Sequence, residues 1–132
     1  MSMNNKLSII CVSGTLEKLQ MAAMVASVAA ASGSEVSVFF SMNALQFLVK
    51  ENSTLVPPKE GEFGDLIGVK GVPEFRVLFE QAVELGDAKL LACSMALDLL
   101  KVSPDDLMLE FGPATGLTRF LSDAEDGKLV SF

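Results

Sequence analysis

The sequence predicts an α/β domain, a three-layer α/β/α sandwich built on a mostly parallel sheet of four to five strands. Two observations carry that expectation. Short apolar runs rich in β-branched residues alternate with stretches of helical periodicity along the whole chain, the pattern of parallel strands joined by helical crossovers. The composition is 50% apolar and 20% charged, too apolar for a disordered chain. The 132 residues read as one domain over 1–132. A chain of that size buries roughly two-thirds of its unfolded surface and needs neither disulfides nor metal to fold.

Residues 7–12 (Leu-Ser-Ile-Ile-Cys-Val) form the first predicted strand, ending in the tight turn Ser13-Gly14-Thr15. Thr15 stands where a helix cap belongs, and Leu16, Leu19, Ala23, Ala26 and Ala30 then share one helical side. Met21, Val25 and Val28 make a second stripe roughly opposite, so this helix is either sandwiched within the protein or carries a subunit contact. Gly33 stops it. Residues 36–40 are the second strand, and Ser41-Met42-Asn43 leads into a short helix over 44–49. Residues 50–72, with Pro57, Pro58, Gly61, Gly64, Gly68 and Gly71, read as a long irregular loop, a functional flap or a surface excursion.

Pro73 suits the first turn of a third helix, whose apolar face is Phe75, Leu78, Phe79, Ala82 and Val83. Gly86-Asp87 ends it, and the run Leu90-Leu91-Ala92 delivers Cys93 to a short helix that continues to Lys101. Pro104 breaks that helix, and Asp105-Asp106 begins another turn. Residues 107–111 fit a short strand or an irregular segment. Gly112-Pro113 opens a last helix with Ala114, Leu117, Leu121 and Ala124 on one side; Gly127 ends it, and 128–132 is the closing strand.

In such a sheet, ligands bind beyond the carboxyl ends of the strands. Those ends supply Ser13-Gly14-Thr15, Ser41-Met42-Asn43, Cys93-Ser94 and Gly112-Pro113. Cys93 therefore combines a functional edge with a helix start, where unpaired N–H groups and the helix dipole favour a thiolate. A buried, inert thiol is the competing reading, because free cysteine is among the most buried residue types.

Absences narrow the chemistry. The chain has no histidine, which removes Ser-His and Cys-His dyads and most zinc sites. Two cysteines cannot complete a structural zinc site by themselves, the methionines read as packing residues, and no metal or other cofactor is expected. A net charge of −7 without Trp or Tyr disfavours nucleic acid, which wants cationic and stacking groups, and leaves a flavin ring without a stacking partner. The turns lack both glycine-rich phosphate-binding patterns. The longest apolar stretch, 21–31, is too short to span a membrane. The lead, residues 1–6, shows no signal-peptide core, so a reducing cytoplasm is expected.

The segment Leu91-Ala-Cys-Ser-Met-Ala-Leu-Asp-Leu-Leu100 resembles the active-cysteine segment of the DsrE/DsrF-like proteins. Residues 38–45 (Val-Phe-Phe-Ser-Met-Asn-Ala-Leu), the Leu-Gly turn within 82–92, and 112–121 (Gly-Pro-Ala-Thr-Gly-Leu-Thr-Arg-Phe-Leu) are similar to other stretches of the family, in order along nearly the whole chain. The resemblance implies an oligomeric α/β/α domain that relays sulfur. It further implies that one cysteine carries a persulfide or thiosulfonate and hands it to a partner such as a TusA-like carrier. Only Cys93 inherits that role by position; no family role passes to Cys11, and the chain lacks the extra cysteines of a two-thiol relay.

The expected chemistry is then attack by the Cys93 thiolate on a small sulfur compound, without a histidine base. A thiol tolerates this, being partly ionised near neutral pH. Ser94 and the Ser13-Gly14-Thr15 turn are candidate hydrogen-bond donors to a bound oxyanion, with ordinary helix capping as their alternative; Asn43 joins them as a binding candidate from the neighbouring strand end. Asp98 and Lys101 read as surface charges. Cys11 is core filler or, if its strand neighbours that of Cys93, a resolving thiol. Two other functions stay open: a thiol-dependent peroxide or disulfide reductase, and a non-catalytic oligomeric interaction module. The apolar helix stripes and residues 39–49 exceed what a lone small domain buries, so a homo-oligomer is expected.

Overall fold

The computed structural model describes residues 5–69 and 71–132. The start of the lead, residues 1–4, lies outside the described residues. The apolar runs form four strands: β1 (Lys6–Cys11), β2 (Glu35–Phe40), β3 (Lys89–Ala92) and β4 (Lys128–Ser131). Their order is β3-β2-β1-β4 and every pairing is parallel. Six helices connect and follow them: α1 (Leu16–Ala31), α2 (Met42–Leu45), α3 (Phe63–Ile67), α4 (Phe75–Gly86), α5 (Ser94–Leu100) and α6 (Leu117–Asp123).

The register lines up Cys11, Phe40 and Ala92 across three strands. Side chains alternate along a strand, so Phe39 and Phe40 leave β2 on opposite faces. Phe40 meets Phe79 of α4 edge-on at 5.0 Å, and Phe39 stacks on Phe120 of α6 at 4.9 Å. Those two contacts define the outer layers: α4, with α1 packed beside it, over one face and α6 over the other. The expected three-layer architecture follows. The α6 layer is thin, a helix of 7 residues. It leaves an open hollow of ≈ 350 Å³ lined by Ser8, Ser37, Leu91 and Phe120.

Several elements differ from the sequence expectation for physical reasons. The helix expected over 44–49 begins at Met42 as α2 and tightens into a 3₁₀ turn, Gln46–Leu48, because the chain must turn sharply off the sheet. Pro73 lies before α4, not within it: Glu74 is the N-cap, its carboxylate accepting from the Arg76 N–H at 2.8 Å. Residues 107–111 form no strand, since Leu109 adopts a left-handed φ of 68° that breaks an extended run; Phe111 makes a single parallel bridge to Leu90. Residues 112–116 run alongside β3, with Thr115 bridged to Cys93. The last helix therefore starts at Leu117, and its buried residue is Phe120, while Ala114, Leu117 and Leu121 are exposed. On α1 the inner stripe is buried, but Met21, Met24 and Val28 face outward, so the helix is not sandwiched within one chain.

The α1–α4 contact is close enough to dictate a glycine. A Cβ on Gly86 would collide with Ala30 Cβ and lie 2.8 Å from the Ala30 carbonyl oxygen. Gly86→Ala is expected to lower the urea midpoint, corresponding to about 2 kcal/mol of overpacking. Adding Ala30→Gly should recover only part, because the carbonyl remains; an unchanged midpoint for Gly86→Ala would refute the close packing.

Candidate functional site

Cys93 follows the last residue of β3 and is the N-cap of α5, with extended φ −67° and ψ 120°. Its position is set by backbone on both sides. The Cys93 N–H donates to the Phe40 carbonyl at 2.9 Å, Ser94 N–H to the Thr115 carbonyl at 2.9 Å, and Thr115 N–H to the Ala92 carbonyl at 3.0 Å. The residue is 6% exposed, and its side chain makes no capping hydrogen bond. Met95 and Ala96 occupy the first helical turn, where N–H groups have no intrahelical acceptor. Ser94 is exposed and is not the cap, which corrects the capping alternative. Asp98 and Lys101 are exposed, as their reading as surface charges expects.

Cys11 sits in a different environment. It is 0% exposed, and burial pushes its thiol up to about 12, because a thiolate loses its hydration there. The condition for Cys11 as a resolving thiol, neighbouring strands, is not met: β2 lies between β1 and β3. Two strand spacings separate the Cys11 and Ala92 positions, roughly 10 Å, beyond the Cα separation a disulfide tolerates. Alternation also puts Cys11 in phase with Phe40 and Ala92, opposite to Cys93. Cys11 is core.

The turns after β1 and β2 are in contact. Ala44 N–H donates to the Val12 carbonyl at 3.1 Å, and a Cβ on Gly14 would lie 2.8 Å from both Asn43 Cβ and its carbonyl oxygen. Gly14 and Asn43 are thus brought together, and the rim continues through Ser41 and Phe40 to Cys93. Thr15 is the N-cap of α1 but makes no capping bond; its hydroxyl donates to the Glu60 carboxylate. Ser13 contributes its N–H to the Phe132 carbonyl at 3.2 Å. The Ser13 N–H and the Thr15 hydroxyl are therefore already engaged.

Met42 and Met95 flank the Phe40–Cys93 hydrogen bond and are 56% and 51% exposed, contrary to their reading as packing residues. Met21 and Met24 are likewise exposed. Met42 holds a left-handed φ of 50°, a conformation that costs a residue with a side chain about 1–2 kcal/mol and tends to collect at functional sites.

Residues 50–72 are not a free excursion. They contain the turn Lys50–Asn52 and α3, and they are fastened to the start of α1. Leu16 N–H donates to the Pro58 carbonyl at 2.9 Å. The Glu17 carboxylate accepts from the N–H groups of Glu60 and Gly61 at 2.8 and 2.9 Å. Those bonds hold Glu17 below the usual carboxylate range. Lys18, Lys59, Glu60 and Asp65 surround it. Sequence reasoning missed Glu17, Gln20 and Arg76. The last two carried a signal: each is a polar residue in phase with an apolar helix face, and both are buried. Arg76 ties loop to core, donating to the carbonyls of Phe47 and Leu55 at 2.9 Å each.

Comparison with known proteins gives a consistent set of likenesses. The sequence profile of the DsrE/DsrF/DrsH-like family matches residues 64–132. The uncharacterized protein YrkE of Bacillus subtilis (strain 168) is 28% identical, in an alignment covering 95% of this chain and 94% of that protein. Among solved structures, MTH1491 from Methanobacterium thermoautotrophicum, of unknown function, superposes with a TM-score of 0.66 at 11% identity, covering 96% of this chain and 98% of that one. The YchN protein of E. coli gives a TM-score of 0.61 at 14% identity, covering 97% and 99%. At such identities the two structures establish the fold.

The Glu17 latch has a pH signature. Its carboxyl is held below its ordinary value, so the latch is intact above the ordinary carboxylate range and is lost as pH falls through the lowered value. Limited proteolysis of the 53–72 segment should accelerate for Glu17→Gln at neutral pH, and for the wild type only on acidification. Equal cleavage of the two at neutral pH would remove the latch.

Proposed function

The chain belongs to the DsrE/DsrF/DrsH-like family, and from that premise we propose that it is a sulfur carrier of the sulfurtransferase type. Cys93 holds sulfane sulfur or a thiosulfonate covalently and passes it to a partner protein. The observation that carries this reading is the position of Cys93: within the matched residues, at the carboxyl end of the edge strand β3 and on the cap of a helix. The other cysteine is sealed in the core with its thiol pushed up to about 12, which supports Cys93 as the working thiol.

In the transfer, the Cys93 thiolate attacks the outer sulfur of a donor persulfide. A new S–S bond forms to Cys93, the donor's own S–S bond breaks, and its electron pair leaves on the donor thiolate. Nothing is oxidised or reduced overall. The second transfer repeats the exchange, with an acceptor thiolate attacking the outer sulfur carried by Cys93. A persulfide extends the side chain by about 2.05 Å, which gives a partner a longer reach to a residue that is itself 6% exposed. A TusA-like carrier is the acceptor class proposed, in a reducing cytoplasm, with no metal or cofactor required by the exchange. The exposed Met42 and Met95 give such a partner apolar footholds beside the thiol.

The peroxide or disulfide reductase alternative loses its internal resolving thiol, because β2 separates the two cysteines. The interaction-module alternative keeps one supporting observation, the low exposure of Cys93. Self-association is proposed with either reading. Leu117, Leu121 and Leu129 are exposed along the thinly covered side of the sheet, and Met21 and Val28 on α1, more apolar surface than scattered single residues.

Intact-mass analysis after polysulfide treatment is expected to show one added sulfur on the wild type and on Cys11→Ala, and none on Cys93→Ser. Loading of Cys93→Ser to the wild-type level would defeat the carrier assignment. Equally slow thiol labelling of both cysteines in the native protein would establish the inert module instead. Light scattering at micromolar concentration should give a mass above that of one 14.0 kDa chain; a monomer peak would overturn the self-association.

A further inference from the structure

Helix α1 has two apolar sides, and the core of one chain uses only one of them. Leu19, Ala22, Ala23, Ala26 and Ala30 are buried, while Met21, Met24 and Val28 face outward. With the exposed Ala31, the outward residues recur at intervals of three, four and three, the heptad spacing of a seam that packs on another helix. A helix face turned to water normally carries charge, yet α1 has no charged residue from Leu19 to its end at Ala31.

The seam continues into a groove of ≈ 460 Å³ between α1 and α3, lined by Met21, Met24, Phe63, Leu66, Ile67 and Val72 together with Glu17 and Gln20. The Glu17 carboxylate is already taken by the N–H groups of Glu60 and Gly61, and Gln20 is buried. An interface of about 800 Å² per partner, roughly 60% apolar, calls for about 500 Å² of apolar surface on each side. Met21, Met24, Val28, Phe63, Leu66 and Val72, each 43–69% exposed, supply an area of that order.

The occupant that fits is a second copy. The chain carries a net charge of −7, so two copies repel where acidic surfaces face each other, and they meet with the least repulsion along a stripe without charge. Side-chain size sets the direction. Antiparallel helices with Met24 against the partner subunit's Val28 also set Met21 against the partner subunit's Ala31, so each layer matches a long side chain with a short one. Parallel helices would set Met on Met and Ala on Ala, and would bring the two charged Glu17-Lys18 starts together. The antiparallel pairing also carries the uncharged end of the partner's helix over the groove beside Met21 and Met24.

We propose that the outer face of α1 is a two-fold interface between copies of this chain, with the two α1 helices antiparallel and each groove covered by the partner's helix. This rests on the self-association proposed above and assigns it to α1, not to the side of the sheet that exposes Leu117, Leu121 and Leu129.

Disulfide trapping in a Cys93→Ser background tests both the interface and its direction. Met24→Cys and Val28→Cys chains, co-expressed and treated with diamide, are expected to form a cross-linked dimer. Either chain alone should stay uncross-linked, because the antiparallel seam separates like residues by about 6 Å along the axis, one helical turn, in addition to the gap between helices. Cross-linking of each chain by itself would mean parallel helices and overturns the proposal. Met24→Asp, which places two carboxylates in the seam, is expected to at least halve the mass measured by light scattering; an unchanged mass overturns the proposal. A wild-type oligomer that gives no cross-link in any combination puts the interface elsewhere and leaves self-association standing. A monomeric wild type removes both and leaves the face to a different protein. Cross-linking alone decides the question if Met24→Asp does not fold.

Discussion

The structure hangs on two adjacent phenylalanines at the end of β2. Because a strand's side chains alternate, Phe39 and Phe40 cannot both serve one face, and each anchors a different layer: Phe120 of α6 on one side, Phe79 of α4 on the other. Phe111 reaches the same Phe40 ring at 5.6 Å, drawing in the edge beside β3. The backbone at this point is equally committed. The Phe40 carbonyl accepts from the Cys93 N–H, and Ser41 N–H donates to the Cys11 carbonyl. Core packing and the placement of the thiol therefore share one anchor, and a change that shifts the end of β2 shifts both.

Much of this was legible in the sequence because the period-2 runs are short and clearly bounded. The four strands, α1, α4 and the strand–thiol–helix order around Cys93 all follow from hydrophobic spacing and turn residues. What was not legible involves pairing at a distance. Nothing local in residues 112–116 says that Thr115 bridges Cys93, and that bridge delays α6 until Leu117 and transfers its anchoring role to Phe120. Strand order is likewise invisible to local pattern, which is why the sequence left both roles open for Cys11 and β2 between β1 and β3 decides against the resolving thiol.

The loop over 50–72 fails as a loop for a related reason. Its glycines and prolines describe a chain without regular structure, yet its backbone is satisfied by partners outside it. Glu17 accepts from Glu60 and Gly61, and Arg76 donates to Leu55. The segment is largely exposed, and two charged side chains from the flanking helices fix parts of its backbone. The segment thereby becomes a roof over the start of α1, with a cavity lined by Leu16, Leu55 and Phe75 between them.

The two cysteines show how little residue type says by itself. Both sit at the carboxyl ends of parallel strands, and both have apolar neighbours in sequence. Cys11 ends β1, which is flanked by β2 and β4, and points into the face covered by α1 and α4, so its ionisation is opposed by burial with no compensating donor. Cys93 follows β3 at the sheet's edge, where only the 112–116 segment lies outside it, and it faces the start of a helix. The difference lies in the number of covering layers, not in the local sequence. A buried thiol becomes chemically useful when its cover is thin and its backbone surroundings offer N–H groups to the anion. Of the two positions, only Cys93 stands at the cap of a helix.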